Sequence, residues 1–245
     1  MNAGSGLLTW EALRCTPEGG VYACVLTQKE ADALLEQAAA LPQLIRPTVL
    51  AATLNELPLV LASFAPSLKF DYIIGRNALL TQPDKATTIK CLVKLLQPDG
   101  VLVLAEGIPR HAQRLYHLLE RAKLDADLYE KLVAAEETIY TSSSDSMVNW
   151  DAADLQAAFE AAQMVVEMTI ERSTTQMYIT QAVIERWFAP TTTSPKERLT
   201  YAQHLACFLN VAEIHAVQDI FTRYLLDQTV TWASSTAFIK VKAST

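Results

Sequence analysis

Asn2-Ala3-Gly4-Ser5-Gly6-Leu7-Leu8-Thr9 is the stretch on which the reading of this chain turns. Two glycines one residue apart let the backbone turn tightly, and the apolar residues after them open a helix predicted over Gly6–Arg14. Pro17-Glu18-Gly19-Gly20 stops that helix. The chain holds only seven glycines in 245 residues, so each one carries information about the local backbone.

Outward from the turn, strands and helices alternate. Val21–Leu26 is a short apolar run of the kind a strand buried on both faces shows. Lys29–Ala40 is a helix with Ala31, Leu34, Leu35 and Ala38 on one face. Thr48–Ala52 is a second buried strand and Phe70–Gly75 a third. Asp84–Leu96 is a helix, Pro98-Asp99-Gly100 a tight turn, and Val101–Ala105 a fourth strand. Buried strands alternating with amphipathic helices predict an α/β fold, a doubly wound and mostly parallel sheet.

The pattern changes after residue 110. Two helices are expected over 110–138, the first aligning Ala112, Leu115, Leu119 and Ala122. Thr141–Asp145 is a polar loop, and Asp151 caps a helix through Ala162. Val166, Met168 and Ile170 alternate with polar residues, which predicts a half-exposed antiparallel strand. Its expected partner is Gln176–Thr180, joined through Arg172–Thr175. A Thr/Pro loop over Ala189–Pro195, helices over 196–210 and 212–227, and a last strand over Thr236–Val241 complete the chain. The expected organisation is an α/β domain over 1–181 and a helical tail with a final strand over 182–245.

Composition excludes several classes. Twenty basic against 27 acidic residues give a formal charge of −7; no basic surface for holding nucleic acid is implied. Cys15, Cys24, Cys91 and Cys207 are spread out and form no CxxC, as expected of reduced thiols in a cytoplasmic protein. The four histidines lack metal-ligand spacing. No apolar run reaches the ~18 residues of a membrane span; Leu57–Ala62 is apolar but short. Trp150, Trp187 and Trp232 read as core or interface anchors, since no basic residues interleave with them for base stacking.

Three features together resemble the class I S-adenosylmethionine-dependent methyltransferases. The glycine turn is similar to that family's motif I. Phe70-Asp71-Tyr72-Ile73-Ile74-Gly75-Arg76-Asn77 is similar to its fourth-strand motif, and Leu95-Leu96-Gln97-Pro98-Asp99-Gly100-Val101-Leu102-Val103-Leu104 to its helix–turn–fifth-strand signature. The resemblance spans residues 2–181 and implies a Rossmann-like methyltransferase fold with a C-terminal helical appendage. It also implies S-adenosylmethionine as cofactor and a methyl acceptor that the motifs do not specify. The opening Asn-Ala-Gly-Ser-Gly-Leu-Leu-Thr-Trp and the tail from Ile184-Glu185-Arg186-Trp187-Phe188 through Trp232 further resemble the methyltransferase-like region fused to RarA-type AAA+ ATPases, which implies such an ATPase region as a partner.

By this resemblance the cofactor-binding candidates are Asn2, Ala3, Gly4, Ser5 and Gly6 of the turn, Thr27 and Thr53 after the next two strands, and Arg76 and Asn77 at the third strand's end. Several departures accompany it. The family's first strand and its acidic end residue would precede Met1, so the sheet is expected to lack that strand and the chain to be marginal on its own. Where the family places ribose- and adenine-binding acids, this chain has Cys24-Val25-Leu26-Thr27-Gln28 and Ala52-Thr53-Leu54-Asn55-Glu56. The Asn/Asp-Pro-Pro-Tyr/Phe amine-orienting motif is replaced by Gly75-Arg76-Asn77-Ala78. Glu106 reads either as a general base or as an exposed carboxylate.

Three functions are consistent with these residues. They are methyl transfer, a methyltransferase-like interaction module linked to a AAA+ DNA-maintenance ATPase, and a nicotinamide-dependent dehydrogenase. The incomplete GxGxxG argues against the last.

Overall fold

The computed structural model describes residues 1–190 and 199–243. The chain divides into two compact units, Met1–Gly107 with Trp150–Glu171 and Thr236–Thr245, and Ile108–Asn149 with Arg172–Ser235. The units interleave along the sequence, whereas the boundary expected at 181/182 is a single cut.

The first unit is the α/β layer. Helix α1 (Leu7–Cys15) leads into strand β1 (Tyr22–Val25), helix α2 (Gln28–Ala38), strand β2 (Thr48–Ala51), helix α3 (Leu57–Phe64), strand β3 (Phe70–Arg76), helix α4 (Lys85–Val93) and strand β4 (Leu96–Gly107). Strands β1 and β2 pair in parallel, from Tyr22↔Thr48 to Val25↔Ala51. Strand β3 pairs in parallel with β4. Helix α6 (Ala152–Ala161) follows later and packs on α4. Residues 164–171 of strand β5 (Met164–Tyr178) and 236–243 of strand β6 (Thr229–Ala243) also belong to this unit, and the four-stranded sheet has the order β3-β4-β6-β5, with β6 antiparallel to β4.

Local chemistry sets the helix starts. Thr27 and Glu30 form a capping box at α2, and Asp151 and Asp154 form one at α6. The buried faces then follow from spacing: Ala31, Leu34 and Ala38 on α2, Ile89 and Leu92 on α4, Leu155 and Phe159 on α6. In β6, Ala237, Ile239 and Val241 are buried while Phe238 is exposed, as alternation predicts.

The predicted Pro98-Asp99-Gly100 turn lies inside β4 as a bulge. Phe70 pairs with Leu96 but Tyr72 already pairs with Val101. The extra residues fold against β3, and a Cβ on Gly100 would stand 2.8 Å from the Phe70 carbonyl oxygen. Only glycine fits that backbone-to-backbone approach.

The second unit is mostly helical. Helices α5 (Ala126–Thr141), α7 (Gln181–Trp187), α8 (Tyr201–Leu205) and α9 (Val211–Leu225) close over a core that includes Leu132, Ile184, Leu205 and Val217. The rings of Phe188 and Tyr201 meet edge to face at 5.7 Å, and those of Phe188 and Phe221 at 5.5 Å. Glu136 is buried here, accepting the Tyr201 hydroxyl at 2.6 Å and the backbone N–H groups of Leu115 and Tyr116. Burial pushes its pKa up, and the Tyr201 hydroxyl and the two backbone donors partly offset that rise.

Several expectations are corrected. The predicted hairpin over 166–180 is one continuous strand, β5, which pairs with β6 from the far end of the chain. Its middle, Arg172-Ser173-Thr174-Thr175, holds no glycine, proline, Asn or Asp to reverse the chain. The first helix expected over 110–122 is a series of 3-10 turns at Pro109–His111, Leu115–Leu118 and Arg121–Lys123. None has a side-chain cap, and the N–H groups of Leu115 and Tyr116 go to Glu136 instead of continuing a helix. The run read only as apolar at Leu57–Ala62 is helix α3, started by Pro58 in its first turn. Strand β2, expected to be buried, has exposed ends, since among the described residues β1 is its strand partner and its other edge is unpaired. Residues 191–195 of the predicted loop and the start of the helix predicted from 196 lie outside the described residues. No helix among the described residues is long and apolar enough to cross a membrane.

Gly100→Ala forces the bulge off the Phe70 carbonyl. It is expected to lower unfolding stability by about 1–3 kcal/mol, as overpacked sites do, read as a lower urea midpoint at unchanged slope.

Candidate functional site

In open α/β sheets ligands bind beyond the carboxyl ends of the strands. A cavity of about 300 Å³ lies there, at the ends of β1, β2 and β3, at the small end of the ~300–1,000 Å³ typical of small-molecule sites. Asn2, Leu26, Leu54, Asn77, Thr81 and Gln82 are among its walls. They give an apolar surface with a few amide and hydroxyl groups.

Asn2, which opens the glycine turn, forms one border. The Ala3 N–H donates to the Cys24 carbonyl at 3.0 Å, and the Gly6 N–H closes the turn on the Ala3 carbonyl at 2.8 Å. Gly6 precedes α1 at φ 72°, a left-handed conformation that a residue with a Cβ rarely adopts. Asn2 reaches across to the far border, its Nδ2 donating to the Arg76 carbonyl at 2.9 Å.

The opposite border is the loop after β3. Asn77 is also left-handed, at φ 48°. Its Oδ1 accepts from the Gly107 N–H at 2.8 Å, and its own N–H donates to the Ala105 carbonyl at 2.9 Å. Beneath the loop, the carboxylate of Glu106 accepts from the N–H groups of Ala78, at 2.8 Å, and Leu79, at 3.2 Å. Glu106 is therefore neither exposed nor on the cavity wall. It is a buried anchor for residues that line the cavity. Burial pushes its pKa up to about 7, with the N–H donors of Leu79, Ala78 and Leu80 and the nearby Lys85 charge pulling the other way.

Of the residues singled out by sequence, Asn2 and Asn77 meet at this cavity. Ala3 is buried just behind it, and Arg76 contributes its carbonyl to Asn2. Ser5 and Gly4 are exposed in the turn. Thr27 is occupied with capping α2 and Thr53 with the turn that leads into α3, each one residue away from the lining residues Leu26, Ala52 and Leu54. The Thr27 Oγ1 accepts from the Glu30 N–H at 3.2 Å, while the Thr53 hydroxyl donates to Glu56 Oε2 at 2.7 Å.

Sequence reasoning missed Glu30. No acid directly ends β1, yet the Glu30 carboxylate folds back onto that end, accepting from Leu26 N–H at 3.1 Å and Thr27 N–H at 3.0 Å. Glu56 does the same after β2, accepting from the Thr53 hydroxyl at 2.7 Å and the Thr53 N–H at 3.1 Å, and these two bonds, the hydroxyl first, hold its pKa below the usual range. The signal was available as the repeated Thr-x-x-Glu at Thr27–Glu30 and Thr53–Glu56. Among the described residues no cluster of His, Cys, Asp and Glu could hold a metal ion.

No family model matches the chain, and no curated protein matches it. Solved structures do. A candidate methyltransferase from Bacillus halodurans C-125, BH2331, superposes with TM-score 0.50 at 13% identity, over 100% of this chain and 90% of that one. YcgJ from Bacillus subtilis gives 0.52 at 14% identity, also over 100% and 90%. The mycolic acid cyclopropane synthase CmaA1, solved with S-adenosylhomocysteine, gives 0.51 at 14% identity over 98% and 75%. The fold is that of the Rossmann-like methyltransferases.

Glu106 makes stability pH-dependent in a defined direction. Its folded pKa of about 7 lies above the ordinary 4.5. Between those values the folded chain keeps a proton that the unfolded chain releases. Stability is therefore highest below about pH 4.5 for this group and declines as pH rises to 7, by about 3 kcal/mol in total. Urea unfolding of Glu106→Gln at pH 5 and pH 8 should lack most of that difference.

Proposed function

We propose that the chain binds S-adenosylmethionine in the cavity at the ends of β1 and β3 and transfers its methyl group to an acceptor that the site does not name. The observation that supports this most is the meeting of Asn2, at the start of the glycine turn, and Asn77 at a cavity of about 300 Å³, in a fold whose solved relatives include CmaA1 with S-adenosylhomocysteine bound.

The cavity's residues suit such a group. Leu26 and Leu54 offer an apolar wall for a base, and Asn2, Asn77, Thr81 and Gln82 offer polar atoms at its border. Gly4, Ser5 and Gly6 keep the turn free of bulky side chains near the methionine end. Bound S-adenosylmethionine supplies an electrophilic methyl on its sulfonium. The chain's own part is to position the acceptor and exclude water, and no general catalytic residue is required of it. Glu106 serves as a positioning residue through the loop it holds.

A second reading is favoured by one observation. The carboxylates nearest the strand ends, Glu30 and Glu56, spend their oxygens on backbone N–H groups. Such a site suits an interaction module that has given up catalysis, with a AAA+ ATPase as the partner implied by the sequence resemblance.

Calorimetric titration of the purified chain with S-adenosylhomocysteine separates the two. Methyl transfer predicts micromolar affinity, about −8 kcal/mol, weakened at least about tenfold by Ala52→Phe, which fills the cavity wall. No binding by a chain that melts cooperatively leaves the interaction module.

A further inference from the structure

Strand β5 ends the sheet order β3-β4-β6-β5. Among the described residues it has β6 on one side and no strand on the other. It runs for 15 residues, well beyond the ~5–6 usual for a strand. Edge strands are ordinarily blunted by shortness, by proline, by lysine or by a bulge, because their unpaired backbone groups recruit other chains. Strand β2, the outer strand of the smaller sheet, is short, at four residues. Strand β5 holds no proline, lysine or glycine.

Its register against β6 is also unbroken. Glu167 meets Lys240 at 3.2 Å, Ser173 meets Ser234 at 3.0 Å, and the Ile179 N–H donates to the Gln228 carbonyl at 2.9 Å. Between successive contacts one strand advances as many residues as the other retreats, so no bulge intervenes. The Ile179 carbonyl faces the same side, accepting from the Asp227 N–H. Backbone direction alternates along a strand, so the odd-numbered residues of β5 turn both backbone groups toward β6. Met164, Val166, Met168 and Ile170 turn theirs to the open edge.

Side chains alternate as well. Met164, Val166 and Met168 are buried or half-buried, while Val165, Glu167 and Thr169 on the other face are exposed. Ile170 belongs to the inward row yet is 47% exposed. An apolar side chain at the edge thus lacks cover on the face that is otherwise packed.

We propose that the Met164–Glu171 edge pairs antiparallel with the same segment of a second copy of the chain, about a two-fold axis at Met168, so that two sheets become one. A two-fold axis perpendicular to the sheet keeps the buried face continuous only when residues of the same row stand opposite one another. An axis at Glu167 sets that carboxylate against its own copy. An axis at Thr169 sets Glu167 against Glu171. Like charges directly opposite are destabilising. The axis at Met168 avoids both and sets Glu167 against the Thr169 hydroxyl, while Lys240 holds the same carboxylate from the β6 side. It also aligns three apolar pairs on the inward row: Val166 with Ile170, Met168 with Met168, and Ile170 with Val166. Each pair exchanges two backbone hydrogen bonds, and Ile170 gains its missing cover. An unrelated extended peptide would supply the backbone bonds without these matched pairs.

Sedimentation equilibrium of the full chain at up to about 100 µM is expected to show a dimer. Thr169→Glu, at an exposed position, sets a second carboxylate opposite Glu167 on both sides of the axis. It is expected to weaken the dimer at least about tenfold without lowering the thermal midpoint of the dilute monomer. Thr169→Lys at the same position strengthens it. Oxidised Met168→Cys, with the exposed Cys15 and Cys207 changed to serine, forms a covalent dimer. Thr169→Cys in that background does not, because the two copies of residue 169 stand diagonally, beyond the ~7 Å that a disulfide spans. A chain that stays monomeric, a dimer indifferent to both charge changes, or equal cross-linking at 168 and 169 overturns the proposal. So does growth beyond the dimer, because the pairing leaves neither copy with an open β5 edge.

Discussion

The first unit depends on a three-residue bridge. Ala3 bonds β1, Met1 bonds β3, and the Asn2 side chain bonds the end of β3. Parallel strands have no hairpin to hold them together; long crossovers bring them side by side and the ladder must do the rest. Among the described residues β1 and β3 are not paired directly, and these residues link them. The same bridge carries the glycine turn, so one short segment both ties the two sheet halves and shapes the cavity wall. Asn2 takes a positive φ of 53° to do this. Backbone strain at that point sits beside the candidate site, as strained residues often do.

Much of the fold was legible because local and long-range signals agreed. The runs at Tyr22–Val25, Phe70–Arg76 and Val101–Gly107 are apolar, short and bounded by breakers, and they are strands. The boxes at Thr27 and Asp151 start helices where a cap pattern places them. Legibility failed where the deciding partner was distant. β5 looked like half of a hairpin because alternation says nothing about which strand lies opposite. Its partner, β6, begins 51 residues after β5 ends. Residues 110–122 have helical spacing, but a buried carboxylate 20 or more residues on claims their N–H groups. No periodicity can announce such a competitor.

The candidate site shows the same division. Asn2 and Asn77 were singled out from position, Asn2 at the start of the glycine turn and Asn77 at the end of a strand motif, and both line the cavity. Glu30 was missed, and Glu106 was singled out for the wrong roles, because the importance of these carboxylates lies in which backbone groups they satisfy. The Glu30, Glu56 and Glu106 carboxylates act on main-chain donors at strand ends, and together they fix the loops that bound the cavity. Polar capacity has been spent on making the rim rigid. That favours a pocket with preset shape and leaves recognition to amides and hydroxyls.

Strand β6 sits between β4 and β5, although it is the last element described. A ribosome releases β4 long before β6 emerges. Throughout that interval Leu102 and Leu104 belong to a strand with one unclosed edge. At the ~5–20 residues per second of synthesis, the nascent sheet waits for several seconds or more before its middle strand arrives. The order of synthesis therefore leaves that edge of β4 without its partner until the end of the described chain emerges.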